Sequence, residues 1–277
     1  MKIRHVVIVV LASFVGACRA DGELVAAEPA PPPEVVVAPE PEPPPGPDCT
    51  TPEQLAVLFI GNSYLNIHNL PQRVASLGNA AGIAIEVDKV TMGGESFEYH
   101  VGRAKTGRLL ESRPWDVVVL QSHSLDPLRN EDGFFRAGAE LGTRARAVGA
   151  SPLLFETWAR RAGHNLYNYF EPARGGPAAM QSAVTERYAK LGDTEDMPVA
   201  PVGTAWLRAI AEHPELDLFA KDGGHPSAQG AYLGACVIFS VLTRRSAVPD
   251  PEAAEGVDPP TAAILREIAT DVVQPPC

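Results

Sequence analysis

The sequence lacks an excess of basic residues, long apolar runs and closely spaced metal-ligating side chains, and each absence excludes a class of protein. Lys and Arg number 23 against 34 Asp and Glu, for a net charge of -11. Such a chain is poorly suited to nucleic acid, because phosphate binding depends on basic residues. No apolar run approaches the ~20 residues that span a bilayer. No motif such as His-x-x-x-His occurs, so we expect no metal or other cofactor.

The N-terminus has the pattern of an exported bacterial lipoprotein. Met1–His5 is short and basic, and Val6–Val15 is apolar but too short to span a membrane, which is typical of a secretion signal. The motif Val-Gly-Ala-Cys18 resembles the lipobox, with an ordinary cleaved signal as the alternative. We expect residues 1–17 to be removed and Cys18 to be lipidated in the cell envelope. Arg19 is not the Asp associated with inner-membrane retention, which favours the outer membrane.

A tether and a folded domain follow the signal. Residues 18–48 form the tether, in which Pro alternates with Glu and Val and favours an extended polyproline conformation. The predicted domain covers 49–277. A disulfide between Cys49 and Cys277 would join its two ends, which often lie close together in a domain. Cys236 lies in an apolar helical run and is expected to be a buried free thiol.

Within the domain, short apolar runs alternate with amphipathic stretches, which predicts an α/β fold. Such alternation is typical of a parallel sheet covered by helices on both faces. In such a sheet the functional residues follow the carboxyl ends of the strands. The predicted strands are 55–60, 83–90, 115–121, 152–156 and, at an edge because of its prolines, 197–202. The predicted helices are 70–81, 98–111, 131–148, 178–191, 204–212, 227–243 and 261–272.

Two segments combine residue types used in nucleophilic catalysis. The first strand is followed by Gly61-Asn62-Ser63-Tyr64, where a serine would be exposed at the edge of the sheet. Far downstream, Asp222-Gly-Gly-His225 precedes a helix, and its glycines would let the carboxylate reach the imidazole. Each segment alone also fits an ordinary turn or helix cap.

Together with a third segment after the second predicted strand, these two segments resemble three sequence blocks of the SGNH (GDSL-like) hydrolase superfamily. Leu58-Phe-Ile-Gly-Asn-Ser63 resembles the first block, Gly93-Gly-Glu-Ser96 the second, and Asp222-x-x-His225-Pro the last. The resemblance implies a flavodoxin-like, three-layer α/β/α sandwich with a five-stranded parallel sheet and a shallow site. It also implies a Ser63, His225 and Asp222 triad, with the backbone amides of Ser63 and Gly94 in the oxyanion hole.

The chain departs from the family pattern at two places. Asn62 stands where the first block usually has Asp. The third block, usually Gly-x-Asn-Asp, is replaced by Gln121-Ser-His123-Ser. Either Gln121 or His123 could donate to the oxyanion instead. Asn62 and Trp158 are further candidates for the wall of the substrate pocket, although Trp158 equally fits a core aromatic residue.

The expected function is hydrolysis of carboxylic esters through an acyl-enzyme on Ser63. O-acetyl or other short acyl groups, carried by carbohydrate, are the expected substrates. The expected partners are a small-molecule or glycan ester, and the membrane through the lipid anchor only. An O-acyltransferase using the same triad and a non-catalytic, carbohydrate-binding lipoprotein remain the alternatives.

Overall fold

The computed structural model describes residues 53–274. The predicted signal peptide, the lipidated Cys18, the tether and the disulfide between Cys49 and Cys277 lie outside these described residues. Cys236 lies within them and is a free, fully buried thiol in an apolar helix, as its sequence context predicts. No helix within 53–274 has both the length and the apolar character needed to cross a membrane.

A five-stranded sheet runs through the centre of the domain, in the order β2-β1-β3-β4-β5. Every neighbouring pair of strands is parallel. The strands are β1 (Gln54–Gly61), β2 (Ala84–Thr91), β3 (Val117–Leu120), β4 (Ser151–Phe155) and β5 (Val199–Ala200). The last strand is much shorter than predicted, because Pro198 and Pro201 flank it and proline lacks the N–H that continues a ladder.

The connecting segments contain most of the predicted helices. The helices are α1 (Ser63–Asn66), α2 (Leu70–Ala80), α3 (Phe97–Gly102), α4 (Ala104–Leu110), α5 (Asp126–Arg129), α6 (Glu131–Ala147), α7 (Leu166–Tyr169), α8 (Pro177–Glu195), α9 (Val202–Glu212), α10 (Ala228–Thr243) and α11 (Pro259–Val273). The predicted single helix over 98–111 is wrong, because Arg103 is extended (φ -95°, ψ 112°) and separates α3 from α4. The four-residue helices α1, α5 and α7 were not predicted, since they are too short to show a helical period.

The side chains of the strands alternate between two separate cores. In β1, for example, Val57 and Phe59 pack on one face of the sheet. Leu58 and Ile60 pack on the other. Helices α2, α9, α10 and α11 cover the first face, and α3, α6 and α8 cover the second. The predicted three-layer α/β/α sandwich is thereby confirmed.

Candidate active site

The turn after β1 places Ser63 at the carboxyl edge of the sheet. Asn62 caps α1, since its Oδ1 accepts the N–H of Tyr64 at 3.1 Å. Its Nδ2 donates to the carbonyl of Glu95 at 2.9 Å, which ties the turn to the loop after β2. The amide of Asn62 supplies both an acceptor and a donor, so this residue suits the cap where the family usually has Asp. Ser63 is therefore fixed as the first residue of α1.

The structure brings Ser63, His225 and Asp222 together, although Ser63 and His225 are 162 positions apart in the sequence. The Oγ of Ser63 lies 2.9 Å from Nε2 of His225. Nδ1 of the same ring is hydrogen-bonded to Oδ2 of Asp222. The other oxygen of Asp222 accepts the backbone N–H groups of Gly224 and His225, each at 2.9 Å. The carboxylate is thus held on both oxygens and is aimed at one ring nitrogen.

This hydrogen bonding fixes the charge on Asp222. Desolvation acts to raise its pKa, but the hydrogen bonds from the His225 ring and from the two backbone amides outweigh it and lower the pKa of Asp222 well below its usual range. An ionised Asp222 holds the proton of neutral His225 on Nδ1. Nε2 is then free to accept the proton of Ser63, which is the arrangement of a general base beside a nucleophile.

The loop that carries His225 is braced from two sides. Phe219 and Pro226 form an antiparallel bridge, and Ala220 N–H donates to the carbonyl of His225 at 2.8 Å. Ser227 caps α10 by accepting the N–H of Gly230 at 3.3 Å. The histidine is therefore held at the start of a long helix.

An open cleft of about 370 Å³ lies over these groups. Six of the residues predicted from the sequence line it, namely Asn62, Ser63, Gly94, His123, Asp222 and His225. Gly94 has a φ of +73°, a left-handed conformation that a side chain would strain. Among the described residues, neither Ser63 N–H nor Gly94 N–H donates to a protein acceptor. Both amides are thus available for a developing oxyanion.

Gln121 does not face the cleft as an oxyanion donor would. Its side chain is fully buried, and its Oε1 accepts the backbone N–H of Asn62 at 2.9 Å. Its Nε2 is bonded to the carbonyl of Ser122. The expectation that Gln121 could donate to the substrate is therefore wrong in this structure, because both ends of the amide are used to fix the turn before Ser63.

His123 lines the cleft and is suited to donate. Its Nδ1 accepts the backbone N–H of Leu125 at 3.1 Å, so in the neutral ring the proton lies on Nε2. Desolvation lowers the pKa of His123, and the positive charges of Arg129 and Arg160 add to this against the opposing effect of Asp126. A neutral ring with an Nε2–H donor follows from these contacts.

Trp158 does not line the pocket and belongs to the core. Its ring is fully buried between Tyr64 and Trp206, with ring centroids 4.3 Å and 3.9 Å away and nearly parallel planes. Its Nε1 donates to the carbonyl of Gly224 at 2.9 Å. The predicted pocket contact is therefore wrong. The ring instead packs against Tyr64, which follows Ser63, and is hydrogen-bonded to the loop that carries His225.

Tyr64 and Ser124 line the cleft directly beside predicted residues. Three further cleft residues with polar or aromatic chemistry were missed from the sequence: Arg160, His164 and Tyr169. All three lie between β4 and α8, in a segment without a motif or a period. Tyr169 ends α7 and is 71% exposed at the cleft. Only their shared position after the carboxyl end of β4 could have pointed to them. Within residues 53–274, no three His, Cys, Asp or Glu side chains are grouped closely enough to hold a metal ion.

Comparisons with known proteins agree with this architecture. No family model matches the sequence, and no curated protein matches it. A candidate SGNH hydrolase from Slackia heliotrinireducens is similar in structure, with a TM-score of 0.60, 27% identity, and coverage of 68% of this chain and 99% of that one. A DUF4886 family protein from Bacteroides uniformis has a TM-score of 0.64 at 21% identity, over 80% of this chain and 96% of that one.

An acetylxylan esterase from Geobacillus stearothermophilus has a TM-score of 0.53 at 14% identity, over 68% of this chain and 94% of that one. At these identities the likeness establishes the fold. The chain has the fold of the SGNH/GDSL-like hydrolases, and the resemblance predicted from its three sequence blocks is confirmed.

Proposed function

We propose that this protein is a serine esterase with Ser63 as its nucleophile. The observation that carries the proposal is the continuous hydrogen bonding from Ser63 Oγ to His225 and on to Asp222 at the floor of an open cleft. Ser63 Oγ attacks the ester carbonyl while His225 Nε2 takes its proton. The ionised Asp222 stabilises the imidazolium that forms.

The remaining steps use the same groups. The tetrahedral oxyanion is held by the N–H groups of Ser63 and Gly94, together with Nε2–H of His123. Collapse breaks the bond to the alcohol, which leaves with the proton from His225, and an acyl-enzyme on Ser63 remains. Water then attacks this ester and gives a proton to His225. The bond between the acyl carbon and Ser63 Oγ breaks, His225 returns the proton to Oγ, and the carboxylic acid is released.

Short acyl groups on carbohydrate are the proposed substrates. The cleft is open and mixes polar side chains with the exposed ring of Tyr169. An exposed aromatic face can stack on an apolar face of a sugar ring while hydroxyl groups remain hydrated. The open cleft also gives water access to the acyl-enzyme, which favours hydrolysis over the alternative of acyl transfer to a sugar hydroxyl.

We also propose that the enzyme is exported and held in the bacterial cell envelope through lipidated Cys18, in the outer membrane. The support is the signal-like residues 1–17 with their lipobox-like end, followed by a proline-rich tether. A domain held on such a tether would reach esters outside the cytoplasm.

A fluorophosphonate probe and p-nitrophenyl acetate test the esterase. The wild-type protein is expected to be labelled at Ser63 and to hydrolyse the ester. Ser63→Ala is expected to lose the label and to lower kcat by more than about a thousandfold, because the acyl-enzyme cannot form. Ser112→Ala, a change at an exposed serine whose hydroxyl donates to the carbonyl of Leu109, serves as the control and should behave as wild type. Labelling that persists in Ser63→Ala would refute the assignment.

A further inference from the structure

Arg160 occupies the cleft beside the nucleophile but has no anionic partner among the described residues. Its guanidinium donates to the hydroxyl groups of Tyr64 and Ser124, the latter at 2.8 Å. Both acceptors are neutral. The neighbouring Arg161, by contrast, pairs with the carboxylate of Asp217 at 2.5 Å. The two hydroxyl contacts leave most of the N–H donors of Arg160 unused.

Within the described part of the chain, the cleft around Arg160 offers no acidic side chain that is still free to pair with it. Asp222 is the only acidic side chain that lines the cleft within residues 53–274, and both of its oxygens are already bonded to His225 and to backbone amides. Arg160 is half-buried, so water screens it less than a surface arginine. A partly desolvated cation without a counter-charge is unfavourable, and an anion that enters the cleft would relieve this cost.

The local structure holds the guanidinium next to Ser63. Tyr64, which Arg160 contacts, is the residue after the nucleophile, and the guanidinium also lies over its ring. Gly224 leaves space for it on the opposite side, since a methyl group at 224 would lie 2.5 Å from Nη1 of Arg160. The positive charge is thus placed between the turn of Ser63 and the loop of His225.

We propose that Arg160 binds an anionic group, such as a carboxylate, on the ester substrate. The planar guanidinium can present two parallel N–H groups to a carboxylate, which gives binding and orientation together. The substrate would then be an acidic ester, for example an acyl group on an acidic sugar. This inference rests on the proposed esterase function and narrows its substrate class.

Two matched pairs of esters test the inference with the full-length protein in detergent. In the first pair, 4-acetoxybenzoate and its methyl ester, the charge lies in the alcohol half. In the second, phenyl hydrogen adipate and its methyl ester, the charge lies in the acyl half. For one of these pairs, kcat/KM of the wild type is expected to favour the anionic member. The preference should lie in KM and weaken as salt is added, because salt screens the ion pair.

Three variants show whether Arg160 is responsible. Arg160→Gln should reduce the ratio of kcat/KM between anionic and neutral esters by about tenfold or more, as expected for a lost hydrogen bond to a charged group. Arg160→Lys should retain part of the ratio, since it keeps the charge without the planar fork. Arg161→Gln makes the same chemical change at the neighbouring, already paired position and should leave the ratio as in wild type.

The outcomes separate this inference from the esterase itself. If both members of each pair are hydrolysed with a ratio that Arg160→Gln does not change, the inference is wrong and the esterase stands. An equal fall of kcat for all four esters in Arg160→Gln would show that Arg160 only positions Tyr64. That result would also overturn the inference of an anion site. If Arg160→Gln fails to fold, the wild-type protein still provides a test. A KM for the anionic esters that does not change with salt would overturn the inference of an anion site. No hydrolysis and no fluorophosphonate label would refute the proposed esterase.

Discussion

The backbone N–H of Asn62 donates to Oε1 of Gln121 at 2.9 Å, and this bond joins the turn before the nucleophile to the end of the neighbouring strand. Gly61 makes the bond possible. A methyl group at 61 would lie 2.5 Å from the same oxygen and 2.7 Å from a methyl carbon of Leu65. The glycine of the first block therefore serves close packing between two strands, while Gln121, the residue directly after β3, acts as an acceptor.

Gly61→Ala is expected to destabilise the protein and to lower its activity. The added methyl group must displace the buried Gln121 amide, and overpacking of this kind costs about 1–3 kcal/mol. Urea unfolding at neutral pH measures the change. Gly107→Ala is the matched control, because outside the adjoining backbone of α4 no atom of the described residues lies within 4 Å of its added methyl group. It should stabilise the protein by roughly 0.5–1 kcal/mol. An unchanged unfolding midpoint in Gly61→Ala would contradict the packing argument.

His123→Ala is expected to lower kcat by roughly 10²–10³ with little change in KM, because an oxyanion donor acts mainly in the transition state. His123→Gln keeps a side-chain N–H donor and should recover part of the rate. The measurement is steady-state kinetics with p-nitrophenyl acetate. Gln121→Ala should instead lower the unfolding midpoint, since it leaves the buried N–H of Asn62 without its acceptor. If His123→Ala retained the wild-type kcat, the backbone amides alone would hold the oxyanion.

The buried ring of His100 is expected to make the stability depend on pH. Its Nε2–H donates to the carbonyl of Gly61 at 2.8 Å, and its Nδ1 accepts from the hydroxyl of Thr106 at 3.0 Å. Burial lowers the pKa of His100, and the bond to Gly61 opposes this only in part. The unfolded chain, with a histidine pKa of about 6.5, therefore binds this proton more readily than the folded protein. The stability should be fully present above about pH 6.5 and should fall as the pH drops below it.

Urea unfolding at about pH 7.5 and about pH 5.5 measures this effect. His68 and His123 also have lowered pKa values, with desolvation as the main cause, and they contribute in the same direction. His100→Gln removes one of these three groups, whereas Glu156, whose pKa is raised mainly by its burial, acts in the opposite direction and is present in both proteins. The substitution should lower the stability at about pH 7.5 but reduce the difference between the two pH values. A difference as large as in wild type would show that His100 does not contribute.

Cys18→Ser is expected to move the protein from the membrane fraction to the soluble fraction, because the residue that would carry the lipid is removed. Cell fractionation followed by mass spectrometry of the N-terminus measures both the location and the modification. Cys236→Ala, a change at a buried thiol within the domain, is the control and should remain with the membrane. A wild-type protein that is soluble and begins near residue 18 without lipid would refute the anchor.

The amino-acid sequence determined the layers of the fold. The four longest strands follow from apolar runs, since alternate side chains must be buried on both faces of a covered parallel sheet. The same pattern placed Ser63 after β1 and Gly94 after β2. Because parallel strands end at one edge, these two positions by themselves predict a shared site. The true length of β5 and the existence of helices α1, α5 and α7 could not be predicted from the sequence, since two to four residues carry too little periodicity.

Only the tertiary structure decided what the side chains around the nucleophile do. Gln121 is an acceptor within the sheet edge, Trp158 is a core ring beneath the site, and Arg160 is a cation without a carboxylate partner in the described part of the chain. Each of these roles depends on partners that are distant in sequence, such as Asn62 for Gln121 and Gly224 for Trp158. Local sequence fixes where a strand ends and which residue follows it, but hydrogen bonding and burial are set by the neighbours that folding brings together.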